Sequence, residues 1–130
     1  MICTVTGAST PILFRDWVRP GTHINVVGSS SLGPTEVDGA LVRDSRFVAD
    51  YRRSALAAAA EFAAARQTGL VTDEHIVAEI GEVLLGRIAG RRSADEITLY
   101  KSLGHIVQDL AATACVHRAA TSRARHPVSR

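Results

Sequence analysis

With 130 residues, 46% of them hydrophobic and 22% charged, the chain has the composition of a globular protein and the length for one domain with a real core. That balance excludes a disordered or collagen-like polymer, and the length is too short for the two-domain layout of large metabolic enzymes. The formal charge is +2, but from His117 onward Arg118, Arg123, Arg125 and Arg130 stand without any acid, which leaves the rest of the chain at −2. The basic pI is therefore a tail effect and argues against a face built for nucleic acid.

Residues 1–6 (Met-Ile-Cys-Thr-Val-Thr) form a β-type run with no preceding turn or cap, so the chain is expected to open inside a strand. Gly7 to Thr10 is a small-residue loop, followed by a short extended piece and the turn Arg19-Pro20-Gly21. Residues 24–27 read as a strand buried on both faces, as in a parallel sheet. Thr35 or Asp38 can cap a short helix over residues 36–44, with Val37, Leu41 and Ala40 turned inward. Residues 46–51 form a third brief strand. Ser54 is expected to cap an alanine-rich helix over residues 55–66, where helix propensity is highest.

Ile76, Ile80, Val83 and Leu84 fall at helical spacing, so Asp73 is expected to open a helix over residues 76–85 that Gly86 terminates. After a polar, basic connection, residues 97–100 are the fourth candidate strand. From Gly104 a final helix is expected to run to about residue 120, with Ile106, Val107, Leu110, Ala114 and Val116 as its apolar face. Strand and helix alternate throughout at spacings that suit parallel crossovers, which gives an α/β fold.

Cys3 and Cys115 are too far apart in sequence for a metal-ligand pair and too few for a disulfide framework. They are expected to be reduced and buried, and no metal site is expected. No apolar run approaches the ~18 residues of a membrane span, and no secretory leader opens the chain. A cytoplasmic protein without nucleic-acid or membrane partners is the expectation.

The functional signal lies after the strand at 24–27, where Gly28 opens a loop of three consecutive hydroxyls, Ser29, Ser30 and Ser31. Branched residues hold a strand extended and glycine lets a ligand approach closely, so such strand ends are where α/β proteins place ligands. Gly21-Thr22-His23-Ile24-Asn25-Val26-Val27-Gly28-Ser29-Ser30 resembles the ornithine cyclodeaminase/mu-crystallin family of NAD(P)-dependent enzymes. Three other pieces are similar to the same family in the same order: Ile2-Cys3-Thr4-Val5-Thr6, Arg46-Phe47-Val48-Ala49-Asp50, and Asp95 through Gly104 followed by Asp109-Leu110-Ala111.

The resemblance implies the second half of a Rossmann-type parallel sheet with flanking helices, incomplete relative to the family fold. Residues 1–104 would be a partial NAD(P)-binding domain and residues 105–130 a C-terminal helix with a basic tail. The family's Gly-rich diphosphate loop, the residue that selects NAD or NADP, and the arginine and lysine that hold the substrate carboxylate have no counterpart in the chain. It therefore reads as a truncated C-terminal portion, binding NAD or NADP weakly by itself. Family members are homodimers, but the main dimerisation domain is among the missing parts.

By the same resemblance Thr6, Asn25, Val26, Val27 and Gly28 line the cofactor, largely through backbone groups, and Lys101 and Ser102 could reach the cofactor or the substrate carboxylate. A solvated loop lysine is the plain alternative for Lys101, and His23 is expected to serve structure. Ser30 stands where cyclodeaminases hold an acid/base aspartate. A serine hydroxyl cannot accept that proton at neutral pH, although it can orient an imine or a water. The expectation is an imine or ketimine reductase or amino-acid dehydrogenase acting on a small imino, keto or amino acid. The alternatives are an ornithine cyclodeaminase-like lyase and a non-catalytic remnant or binding protein.

Overall fold

The structure is a computed structural model and describes residues 1–125. Short runs rich in β-branched and aromatic residues supply the strands β1 (Ile2–Thr4), β2 (His23–Val26), β3 (Arg46–Ala49), β4 (Ile76–Glu79) and β5 (Thr98–Lys101). They form one all-parallel sheet in the order β1-β2-β5-β3-β4, so the last strand of the chain lies at its centre. In register across it, Ile24 pairs with Leu99, Leu99 with Phe47 and Phe47 with Ile76, which aligns four large apolar side chains on one face.

Helices α1 (Gly39–Asp44), α2 (Arg52–Ala58) and α3 (Ala60–Gln67) contribute Leu41, Val42, Ala55, Phe62 and Ala65 to the core on that face. Phe47 and Phe62, with ring centroids 5.2 Å apart, supply its aromatic contact. A short helix, α4 (Ile80–Leu84), follows β4, and α5 (Ile106–Arg125) follows β5. None of these helices is long and apolar enough to cross a membrane, among the described residues.

Several expectations are corrected. The helix expected over residues 76–85 is strand β4 followed by the short α4. Ile76 and Ala78 are buried while Val77 and Glu79 are only half-buried, the alternation of a strand paired with β3. A capping box between Glu79 and Glu82 then starts α4. The sheet thus has five strands, one more than expected.

The alanine-rich helix is two helices broken at Ala59, whose ψ is 101°. The break lets four consecutive residues, Ala59, Ala60, Glu61 and Phe62, all be buried, which an unbroken helix with one inward face cannot do. Ser54 lies inside α2 and is no cap. At the start of that helix the Arg52 N–H donates to Glu79 Oε1. Asp38, not Thr35, caps α1 by accepting from Leu41 N at 3.1 Å, so Glu36 precedes the helix.

β2 is buried on one face only: Ile24 and Val26 are enclosed, while His23 and Asn25 are half-buried. The cysteines are exposed, not buried. Cys3 is in register with Asn25, and Asn25 with Tyr100, on the sheet face away from the core helices. Cys115 lies on α5, which runs on to Arg125 and leaves Ile106, Val107, Leu110 and Val116 at least 60% exposed. The apolar face expected of this helix is therefore present but uncovered among the described residues. The end of the basic tail, residues 126–130, lies outside them.

Candidate functional site

The carboxyl ends of β1, β2 and β5 meet at one rim of the sheet, and the loops leaving them are tied together by three buried acids. The first is Glu36. Its Oε2 accepts from Thr4 Oγ1 at 2.7 Å and Gly28 N at 2.9 Å, while Oε1 accepts from Thr6 Oγ1 at 2.8 Å and from Thr6 N. Burial by itself raises the pKa of such a carboxyl, but these four donors outweigh it and hold Glu36 below the usual carboxylate range. Val27 N and Gly28 N also donate to Thr4 O, closing the two strand ends on each other. At Gly28 a Cβ would lie 2.2 Å from both Glu36 Oε1 and Thr6 O, so only glycine fits.

The second acid, Glu61, reaches the rim from α3. Its Oε1 accepts from Glu36 N at 3.1 Å and from the Ser29 hydroxyl. Lys101, the last residue of β5, meets it from below: Nζ lies 3.3 Å from Glu61 Oε2, donates to Ser29 Oγ at 2.8 Å, and donates to Ser29 O. Burial pushes the Lys101 ammonium below its ordinary value, and the Glu61 carboxylate opposes that shift. The third acid, Asp50, follows β3. Its Oδ2 accepts from Leu103 N at 2.7 Å and Gly104 N at 2.8 Å, and its Oδ1 from Tyr51 N, which clamps the turn between β5 and α5.

The site residues expected from the sequence fall into two groups. Thr6, Val27 and Ser30 are exposed at the rim, with Gly28 and Ser102 half-buried beside them. Val26 is fully enclosed and its carbonyl is taken by Ser102 N, while the Asn25 amide points across the sheet to Cys3 Sγ at 3.5 Å. Lys101 is neither a solvated loop lysine nor open to a ligand at the rim, since it has no exposed surface and its ammonium is spent on Ser29 and Glu61. His23 is held by Thr98, with Nδ1 at 2.7 Å from Oγ1. An apolar cleft of about 310 Å3 between His23, Val48, Ile80 and Tyr100 lies along the strands and away from this rim.

Glu36, Glu61 and Asp50 were not among the residues singled out for the site. Glu61 carried a signal, as the one charged residue in Ala-Ala-Ala-Ala-Glu-Phe-Ala-Ala-Ala, where a solvent-facing helix would bring several. Glu36 and Asp50 carried none beyond their places near strand ends.

A parallel sheet with flanking helices and loops gathered at the carboxyl ends of its strands defines a Rossmann-type α/β unit. The family model for the ornithine cyclodeaminase/mu-crystallin family matches residues 1–124, and the chain belongs to that family. It is 39% identical to the ketimine reductase mu-crystallin of Mus musculus over 117 residues, covering 90% of this chain and 34% of that protein. The Thermococcus litoralis Δ1-pyrroline-2-carboxylate reductase in complex with NADH and L-proline is 36% identical with a TM-score of 0.76, over 79% of this chain and 32% of that one. The iminosuccinate reductase of Paracoccus denitrificans in complex with NAD+ is 29% identical with a TM-score of 0.84, over 95% and 38%. The chain thus spans about a third of the length of such relatives, between 32% and 38%.

Proposed function

We propose that this chain carries the nicotinamide-facing half of an NAD(P)-dependent reductase or dehydrogenase acting on a small 2-imino or 2-keto acid or the matching amino acid. The observation that carries the reading is Ser30: an exposed hydroxyl on the loop after β2, where a cyclodeaminase would need an aspartate. A hydroxyl there suits net reduction, in which no carboxylate has to collect a proton from a leaving amine.

The residues present fit the nicotinamide end of the cofactor. Thr6, Val27 and Ser30 leave an accessible edge of hydroxyl and backbone at the rim, and Gly28 keeps that edge close to the strands. The first helix after this loop offers the diphosphate no anion site. α1 begins at Asp38, a carboxylate that already accepts from Leu41 N and repels an anion. Affinity for this chain by itself therefore rests on the nicotinamide side and is weak.

When bound, the reduced cofactor supplies the hydride for the imine or carbonyl carbon. The protein's part is to position. Thr6 would line the carboxamide edge, and the carbonyl oxygens of Val27 and Gly28 and the Ser102 hydroxyl would hold it, since the Thr6 hydroxyl and N–H are spent on Glu36 and the Val27 and Gly28 N–H groups on Thr4 O. Ser30 donates to or accepts from the imine nitrogen or a water beside it, and so orients the carbon that is reduced.

The cyclodeaminase-like reading borrows a hydride and returns it, so product analysis separates the two. With the purified chain, NADH or NADPH and a cyclic ketimine acid, net loss of nicotinamide absorbance is expected, and Ser30→Ala should lower kcat by about 10- to 100-fold. Ornithine converted to proline without net cofactor change would overturn the reading. Absence of both nucleotide binding by calorimetry and turnover would favour a non-catalytic chain.

A further inference from the structure

Glu61 and Lys101 form an ion pair in which each side chain is 1% exposed, directly beneath the loop that carries Ser30. We propose that this pair is a positioning device that fixes the loop from Ser29 to Glu36, and with it the Ser30 hydroxyl, over the carboxyl ends of the strands. The inference rests on the reading of Ser30 as the hydroxyl that meets the substrate.

Stability does not call for the pair. Removing two charges from water costs several kcal/mol per ion, and a well-packed apolar pair of similar volume is often as stable or more so. The buried residues of α3 are otherwise alanine and phenylalanine, well suited to such a pair. What apolar side chains cannot do is grip polar groups, and here the gripped groups are the two ends of one loop. Glu61 Oε1 takes the Ser29 hydroxyl at the first residue and the Glu36 N–H at the last. Lys101 Nζ holds Ser29 twice, by its hydroxyl and by its carbonyl oxygen.

The carbonyl contact matters most. The Ser29 C=O shares a rigid peptide plane with the Ser30 N–H, so fixing that oxygen fixes the plane from which the Ser30 side chain departs. Two elements remote in sequence converge to do this. Glu61 is the second residue of α3 and is buried because the helix breaks at Ala59, while Lys101 ends the central strand. Glu61 Oε2 makes no hydrogen bond and meets Lys101 only as an ion pair, so the stronger grip of each partner is on the loop.

The test compares the wild-type chain with Lys101→Met and with Glu61→Met/Lys101→Met, the second of which leaves no unpaired buried charge. Folding is read by thermal melting, loop order by amide hydrogen exchange at the two ends of the loop, Gly28 and Glu36 with Ile12 and Leu13, whose N–H groups donate to Glu36 O, and function by NADH-dependent reduction of a cyclic ketimine acid. The double variant is expected to fold. Its loop amides should exchange about tenfold faster while those of β3 and β5 are unchanged. Its kcat should fall about tenfold or more with KM for NADH within about threefold.

Unchanged loop exchange in a folded double variant overturns the proposal. So does a double variant that cannot fold, since the pair would then serve the whole domain. A wild-type chain without turnover refutes the reductase reading only, and loop exchange still decides the role of the pair.

Discussion

Replacing Glu36 by glutamine tests whether the rim is held by a buried carboxylate. The carboxylate accepts from four donors: Thr4 Oγ1, Thr6 Oγ1, Thr6 N and Gly28 N. An amide has one acceptor oxygen, and its NH2 must then face one of the two backbone N–H groups, Thr6 or Gly28. The threonine hydroxyls can rotate to accept, but a backbone N–H cannot. With the NH2 turned toward Gly28, whose N–H keeps Thr4 O at 3.2 Å, one charge-assisted bond is lost, so the variant should be destabilised by about 1.5–3 kcal/mol. For a domain of this size that lowers Tm by about 5–10 °C.

The pH dependence adds a second reading of the same group. Its folded pKa lies below the ordinary 4.5, so its stabilisation is fully present above that value and is lost as pH falls through the folded pKa. In urea melts, the gap between wild type and Glu36→Gln should be constant from neutral pH down to about 5 and then close in acid. A loss under about 0.5 kcal/mol at neutral pH, or a gap that does not close in acid, refutes the reasoning.

Two other substitutions probe the same rim. Gly28→Ala puts a methyl group 2.2 Å from Glu36 Oε1 and Thr6 O, so it should separate β1 from β2 and cost more than Glu36→Gln, as a melt at neutral pH will show. Asp50→Asn leaves Leu103 N and Gly104 N sharing a neutral acceptor in place of Oδ2, so it should cost about 1–2 kcal/mol. Hydrogen exchange should then show α5 fraying from its first turn while β1 and β2 keep their protection.

The parallel sheet was legible because β-branched runs at 24–27, 46–49 and 97–100 are short and bounded by turn residues. β4 was not, since Ile76, Ile80, Val83 and Leu84 satisfy helical spacing and the strand that decides otherwise, β3, lies far away in sequence. The exposed rim of the candidate site was legible too. The hydroxyls and the glycine sit where a loop must turn, and local pattern suffices to find them. The buried part depends on the crossing of remote segments. Lys101 follows a strand end like any loop lysine, and only the placement of β5 beside β2, with Glu61 above, turns its ammonium inward.

The central position of β5 has a consequence for how the chain acquires its shape. Among the described residues β1 pairs with β2 and β4 with β3, and β5, the strand that joins these two halves, is the last of the five to be synthesised. Until residues 98–101 arrive, β2 and β3 each lack the neighbour that the folded sheet gives them, and long-range parallel pairing of this kind is slow. The exposure of aggregation-prone edges is thus written into the order of synthesis. Among the described strands, stopping synthesis short of Thr98 leaves the β1–β2 and β3–β4 pairs without the strand between them.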